Sequence, residues 1–372
     1  MWPVCHYLLD FIQYDSADFE AYKRVNQLFA RKLATLVKPN DMIWVHDYHL
    51  IPLAAELRQA GLDNRIGFFL HVPFPAYEAL RAAPGHDYLL RALCAYDVLG
   101  FHTPHDLAAF ESCVREPIIG GEVLDDRRVR VPGGELIADV FPIGIDVDEL
   151  QTLAAEANGL RQVSGMVRSL AGRDLIIGVD RLDYSKGLMQ RMLSYERLLQ
   201  KYPNTQRSVT LMQIAPPTRA GVRAYDEIRR ELEQVSGRIN GRFADSDWVP
   251  IRYLNKGIAR KPLMGFFRNA KVGLVTPVRD GMNLVAKEFV AAQNPENPGV
   301  LVLSSLAGAA YELKDAVIVN PHDRDDVADG IANAVTMSLD ERRARHTAML
   351  DVLRKNDIGA WRRRFIEALT KD

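Results

Sequence analysis

The pattern that most restricts what this chain can fold into is a unit that recurs along it without a fixed period. Each unit is a short apolar run, a polar loop, and then apolar residues at helical spacing, which is the rhythm of an α/β protein with parallel sheets. "DMIWVHDYHL" predicts a strand at about 42–46, with a helix through "LIPLAAELRQAG" that ends at Gly61. "RIGFFLHVPFP" and "YDVLGFHT" predict two more strands, and "PHDLAAFESCV" opens a helix with Pro104 near its first turn. In the second half, "DLIIGVD", "SVTLMQIA", "VPIRYLN", "KVGLVTPV", "GVLVLSS" and "AVIVN" are read as strands. Between the halves, "GG" at 120–121 and again at 133–134 brackets the basic cluster "RRVR", expected as a hairpin or long loop with its charges on a solvated face.

At 372 residues the chain exceeds the size one core usually serves, so two domains are expected. The crossover is placed at "VFPIGID", 140–146, giving a first domain over 1–143 and a second over 144–352. A final amphipathic helix, 353–372, is expected to pack back on the first domain. Two such domains would enclose a cleft, with ligands at the carboxyl ends of the strands. The 47 basic and 48 acidic residues leave a net charge of -1. That excludes the broad positive face of a nucleic-acid binder, so any bound anion must be met locally. No apolar run is long enough to span a bilayer, so no membrane partner is expected. Cys5, Cys94 and Cys113 are odd in number and widely spaced, which fits buried thiols and a cytoplasmic location. The start, "MWPVCHYLLDF", is apolar at once, and the expectation is that sequence upstream has been lost.

Residues able to do chemistry gather at strand ends. In "DRLDYSKGL", Arg181 and Lys186 precede a helix whose stripe runs Leu188, Met192, Tyr195, Leu199. A guanidinium fork and a mobile ammonium suit a diphosphate; the alternative is that Arg181 pairs with Asp183 or Asp180 at the surface. In "VTPVRDGMNLVAKEFVAAQ", Asn283 is a natural N-cap, and Gly281 allows close approach to the free N–H groups of the helix start. Asp280 and Glu288 would accept from sugar hydroxyls there, unless Glu288 is only a solvated helix residue. His46, Asp47 and His49 in "WVHDYHL" lack a further ligand at recognisable metal spacing, so no metal is expected and Asp47 is read as a hydroxyl acceptor. His71 ends the next strand, either as a donor to a sugar oxygen or as a core histidine. Arg219 offers a second phosphate fork after "QIAPPT". The phosphate-cradling loops of P-loop and dinucleotide enzymes are absent, as is a serine nucleophile elbow.

Taken together, "HDYHL", "GFFLHVPFP", "DRLDYSKGL", "QIAPPTR", "GRIN" and "RDGMNLVAKEFVAAQ" resemble, in order and along nearly the whole chain, the trehalose-6-phosphate synthases. These are retaining glycosyltransferases of the GT-B fold, with two Rossmann-like domains facing a cleft, here with the first domain short at its N-terminus. The resemblance implies transfer of glucose from UDP-glucose to glucose 6-phosphate, releasing UDP, with no cofactor; it leaves homo-oligomerisation open. Arg181 and Lys186 would grip the donor diphosphate, aided by the helix start at Asn283, Leu284 and Val285. Glu288 would bind the ribose, and Asp280 and His71 the donor glucose. The donor would lie along Gly281, Met282, Ala286 and Lys287, with the base near Ile258, where the family often has an aromatic residue. Asp47 would hold the acceptor sugar, Arg219 its phosphate, and Trp2 would stand beside it. The family's glycine-rich loop and two further acceptor-phosphate residues belong upstream of Trp2, so the acceptor half is expected to be the weaker. A transferase with another acceptor, such as a glucosylglycerol-phosphate synthase, and a non-catalytic sugar-nucleotide-binding protein are the competing readings.

Overall fold

The apolar runs become strands of two to seven residues, because each is stopped by a polar or proline-bearing loop. In the computed structural model, which describes residues 1–218 and 223–371, the chain divides into two units, Met1–Ile143 with Gly359–Asp372, and Gly144–Ile358. The first holds β1 (Ile43–His46), β2 (Ile66–Phe69), β3 (Val98–Phe101), β4 (Glu122–Val123), β5 (Arg128–Val131) and β6 (Gly134–Val140). Their order is β1-β2-β3-β6-β5-β4, parallel from β1 to β6 and antiparallel beyond. β2 and β3 are buried along their whole length, as strands covered on both faces must be.

The "RRVR" region is the hairpin of β5 and β6, turned at Pro132 and Gly133, the latter at φ 117°. Arg130 reaches Glu122 at 2.9 Å and Glu135 at 3.0 Å, so the basic cluster is spent on neighbouring carboxylates at an exposed face. The helix Ile358–Thr370 lays Trp361, Phe365 and Leu369 against Phe69, Val98 and Phe141. Gly67 and Gly100 make this possible: a Cβ on either would stand 2.7 to 2.8 Å from the Phe365 ring.

The second unit is one parallel sheet of β7 (Asp174–Val179), β8 (Val209–Ile214), β9 (Ile251–Leu254), β10 (Val272–Val275), β11 (Val300–Ser304) and β12 (Val317–Val319). Their order is β12-β11-β10-β7-β8-β9. The chain therefore builds outward from β7 to β9, then returns to the other side of β7 with β10. Such a reversal makes the carboxyl ends of β7 and β10 the switch point of a doubly wound sheet, where the loops part and leave room for a ligand. The helix Leu188–Lys201 begins directly after Gly187 and buries Leu188, Met192, Tyr195 and Leu199. Among the described residues the three cysteines form no disulfide, and Cys5 and Cys113 are buried. Among the described residues no helix is long and apolar enough to cross a membrane.

Candidate functional site

The switch point is where the charged loops meet. After β7, Asp183 accepts from the Ser185 N–H at 3.0 Å and folds Tyr184–Lys186 into a single tight turn. Gly187 closes it at φ 64°, and a Cβ there would lie 2.5 Å from the Thr276 carbonyl oxygen. Only glycine lets the loop after β7 approach the loop after β10 so closely. The Val278 N–H then donates to the Ser185 carbonyl at 3.0 Å. With the loops joined, Lys186 Nζ stands 2.5 Å from Asp280 Oδ2. The same oxygen accepts from Asn283 Nδ2 at 3.0 Å. Asn283, at φ 72°, is the N-cap expected, taking the Ala286 N–H at 3.3 Å. The N–H groups of Leu284 and Val285 precede any helical acceptor, so a cation and a helix start share one small region.

The electrostatics favour a permanent charge on Lys186. Burial works against it, but Asp280 and Asp180 outweigh burial and hold the ammonium above its ordinary pKa. Asp280 is fixed through its backbone as well: its N–H donates to Leu306 at 3.2 Å and its carbonyl accepts from Gly308 at 3.1 Å. Gly281 is buried beside it, its carbonyl so near that a Cβ on Gly308 would collide. Met282 is buried, and Arg181 is exposed at the start of the loop. Glu288 is half-buried one turn into the helix, and burial raises its carboxyl pKa against the opposing pull of Arg260. The Lys287 side chain is fully buried and paired with Glu312 at 2.6 Å. Ile258 is half-buried in the loop before the helix Arg260–Arg268. Arg219 lies outside the described residues.

One residue was not singled out from the sequence. Arg191 is fully buried, with Nη1 2.6 Å from Asp180 Oδ2 and 3.0 Å from Gln213 Oε1, and Nε 3.0 Å from Thr276 Oγ1. Asp180 is therefore no surface partner for Arg181: it is 6% exposed and its carboxylate is taken by Arg191. The signal was available, since Arg191 falls three residues after Leu188 and four before Tyr195, on the apolar stripe rather than the solvated face.

In the first unit the loops after β1 and β2 bring Asp47 and His71 together. Asp47 has φ 72° and ψ 163°, a region that residues with a side chain rarely enter. Its N–H donates to the Phe69 carbonyl at 2.8 Å, and its Oδ1 accepts from the His71 N–H at 3.3 Å. His71 Nε2 is 3.0 Å from His46 Nδ1. Burial lowers the pKa of both imidazoles, with Asp47 opposing, so each is neutral at pH 7. Trp2 is half-buried, its ring 4.2 Å from His6 and 6.4 Å from Tyr48. Among the described residues no three His, Cys, Asp or Glu side chains group as a metal site.

A fixed ammonium, a helix start and two carboxylates at one switch point can hold a phosphate group next to a hydroxylated one. The model of glycosyltransferase family 20 matches residues 1–371. The trehalose-6-phosphate synthase of Klebsiella pneumoniae is 51% identical over 370 residues, covering 99% of this chain and 77% of that protein. The one from Sinorhizobium fredii is 49% identical over 370 residues, covering 100% and 80%. Among solved structures, an α,α-trehalose-phosphate synthase (UDP-forming) from Burkholderia xenovorans in complex with glucose-6-phosphate is similar at a TM-score of 0.97 and 51% identity, over 99% of this chain and 81% of that one. An E. coli structure bound with UDP-2-fluoro glucose gives 0.97 and 49%, over 100% and 82%. The shared fold is GT-B, and this chain spans about four fifths of the length of these proteins. On sequence and fold alike, the chain belongs to glycosyltransferase family 20.

Proposed function

We propose that this chain is a retaining glucosyltransferase that moves glucose from UDP-glucose to glucose 6-phosphate, giving α,α-trehalose 6-phosphate and UDP. The observation that carries this is the cluster of Lys186, Asp280 and Asn283 at the β7/β10 switch point, beside the free N–H groups of Leu284 and Val285. In the reaction the bond between the glucosyl C1 and the diphosphate oxygen breaks, and UDP leaves with the bonding pair. The anomeric hydroxyl oxygen of the acceptor bonds to C1 from the same face, and its proton passes to the leaving phosphate oxygen. No enzyme nucleophile is needed, so the protein contributes orientation and stabilisation of charge on the leaving group.

Lys186 and the helix start meet that charge, and Arg181 adds a planar fork. On donor binding Lys186 exchanges Asp280 for a phosphate oxygen, and the freed carboxylate accepts from a glucose hydroxyl. Glu288 takes the ribose hydroxyls. His71, as a neutral imidazole, donates to a donor-sugar oxygen, Asp47 accepts from the acceptor sugar, and Trp2 and Arg219 serve the acceptor. The unit Gly144–Ile358 is thereby the donor side, and the unit that begins at Met1 the acceptor side.

The test is UDP release from UDP-glucose with glucose 6-phosphate, the product examined by NMR for two α-anomeric protons. UDP release that requires glycerol 3-phosphate in place of glucose 6-phosphate, or no release despite UDP binding, would overturn the assignment.

A further inference from the structure

We propose that Arg191 is the positioning residue of the donor site, setting the spacing between Lys186 and Asp280 and so the joint hold on diphosphate and sugar. The proposal rests on the donor reading above and names a residue that touches no substrate. Three segments supply its four acceptors: the loop after β7 gives Asp180 and the carbonyl of Lys186 itself at 3.4 Å, β8 gives Gln213, and Thr276 lies just past β10. Lys186 and Asp280 come from the loops after β7 and β10, and Arg191 is the side chain that ties those two loops beneath them. Space for it is reserved, because a Cβ on Gly178 would stand 2.8 Å from Arg191 Nη1 and 2.7 Å from Gln213 Oε1.

Stability alone does not account for this arrangement. A buried ion pair is often no better for the fold than apolar side chains of the same volume, since desolvation cancels the attraction. What a planar guanidinium supplies, and an apolar side chain does not, is several directed hydrogen bonds of fixed geometry. The charges in the cluster alternate in sign: Asp280 and Asp180 both act on Lys186, and Asp180 is itself paired with Arg191 at 2.6 Å. One guanidinium thus holds both the carboxylate of Asp180 and the backbone carbonyl of Lys186.

The experiment uses the full chain with three variants: Arg191→Met, Arg191→Met combined with Asp180→Asn, and Arg191→Lys. The single change to methionine leaves Asp180 buried without its partner and is expected to lower the unfolding temperature strongly. The double variant removes both charges and is expected to recover that stability. Its kcat/KM for UDP-glucose should nonetheless stay about a hundredfold below the unaltered chain, as misplaced groups cost, while the KM for glucose 6-phosphate is unchanged. Recovery of kcat/KM together with stability would make Arg191 a structural residue and overturn the proposal. Arg191→Lys keeps the charge but not the fork; it should fold and bind UDP roughly tenfold more weakly, the scale of one lost charged hydrogen bond. Unaltered UDP affinity and turnover in that variant would equally overturn the proposal. Because UDP titration needs no acceptor, the test also separates the two readings. An unaltered chain that binds UDP without turning over sinks the proposed function, and the variants' UDP affinities still decide the role of Arg191. Failure to bind UDP at all sinks both.

Discussion

The two clusters at the ends of the parallel strands are held by opposite means. At the β7/β10 switch point the side chains fix one another through buried charge: Arg191 on Asp180, Lys186 on Asp280. After β1 and β2 the backbone does the holding, with Asp47 in a conformation most residues avoid and its carboxylate turned to the His71 N–H. The difference matters for what each can tolerate. A charge network fails when any member is removed, because a partner is left buried and unpaired. A strained residue fails only in its function, and the fold gains when the strain is relieved.

The largest break should come from Lys186→Ala, which removes the cation at the leaving group. Turnover is expected to fall by about 10²–10³-fold, the cost of one missing stabilising group in a transition state, read as UDP release at saturating substrates. Retained turnover would move the leaving-group role elsewhere. Asp280→Asn sharpens the picture further. Affinity for UDP-glucose should drop roughly tenfold through loss of a charged acceptor, whereas UDP alone should bind more tightly, because Lys186 no longer has to leave a carboxylate. Weaker binding of both would refute the exchange of partners.

On the other side of the comparison, Asp47→Gly should abolish most activity and yet raise stability by about 1 kcal/mol, since glycine enters this region of φ and ψ without strain. Asp47→Ala, which keeps the strain, should lose activity with no such gain. Equal unfolding temperatures for the two would show that the backbone there is unstrained.

The smallest effect is one of pH. Burial depresses the pKa of His71 and His46 below the ordinary value, so between the folded and unfolded pKa values the unfolded chain binds more protons. Stability from these groups is then complete above about pH 6.5, the unfolded value, and is lost as pH falls below it. His346 shares this direction, for burial lowers its pKa too, so the informative quantity is a difference. His71→Asn should flatten part of the fall in unfolding temperature on acidification, and an unchanged slope would remove His71 from the account.

Much of the fold was legible in the chain because its signals are local. Each apolar run named in the second half is a strand, Gly187 does precede a helix, and Asn283 does cap one. These follow from side-chain period, left-handed glycine and an amide within reach of the next turn, all decided within a few residues. The site was legible in its members more than in its arrangement. Lys186 and Asp280 both stood out, but nothing in either stretch says that residues 94 positions apart are ion-paired. Lys287 looked like part of the helix start, yet its side chain is turned to Glu312.

The sequence by itself determined the α/β class, the loops that carry charge and the family, since these rest on local pattern and on motifs in order. Only the tertiary structure decided which charges meet. The order of strands in the sheet sets β7 beside β10, and that adjacency, with Gly187 letting the loops close and Gly178 leaving room for Arg191, brings four ionisable residues into one cluster. Coulomb attraction and hydrogen bonding act over a few ångströms of space, not along the chain. A buried arginine therefore reads only as a charge out of place on an apolar stripe until its neighbours from other strands are in place.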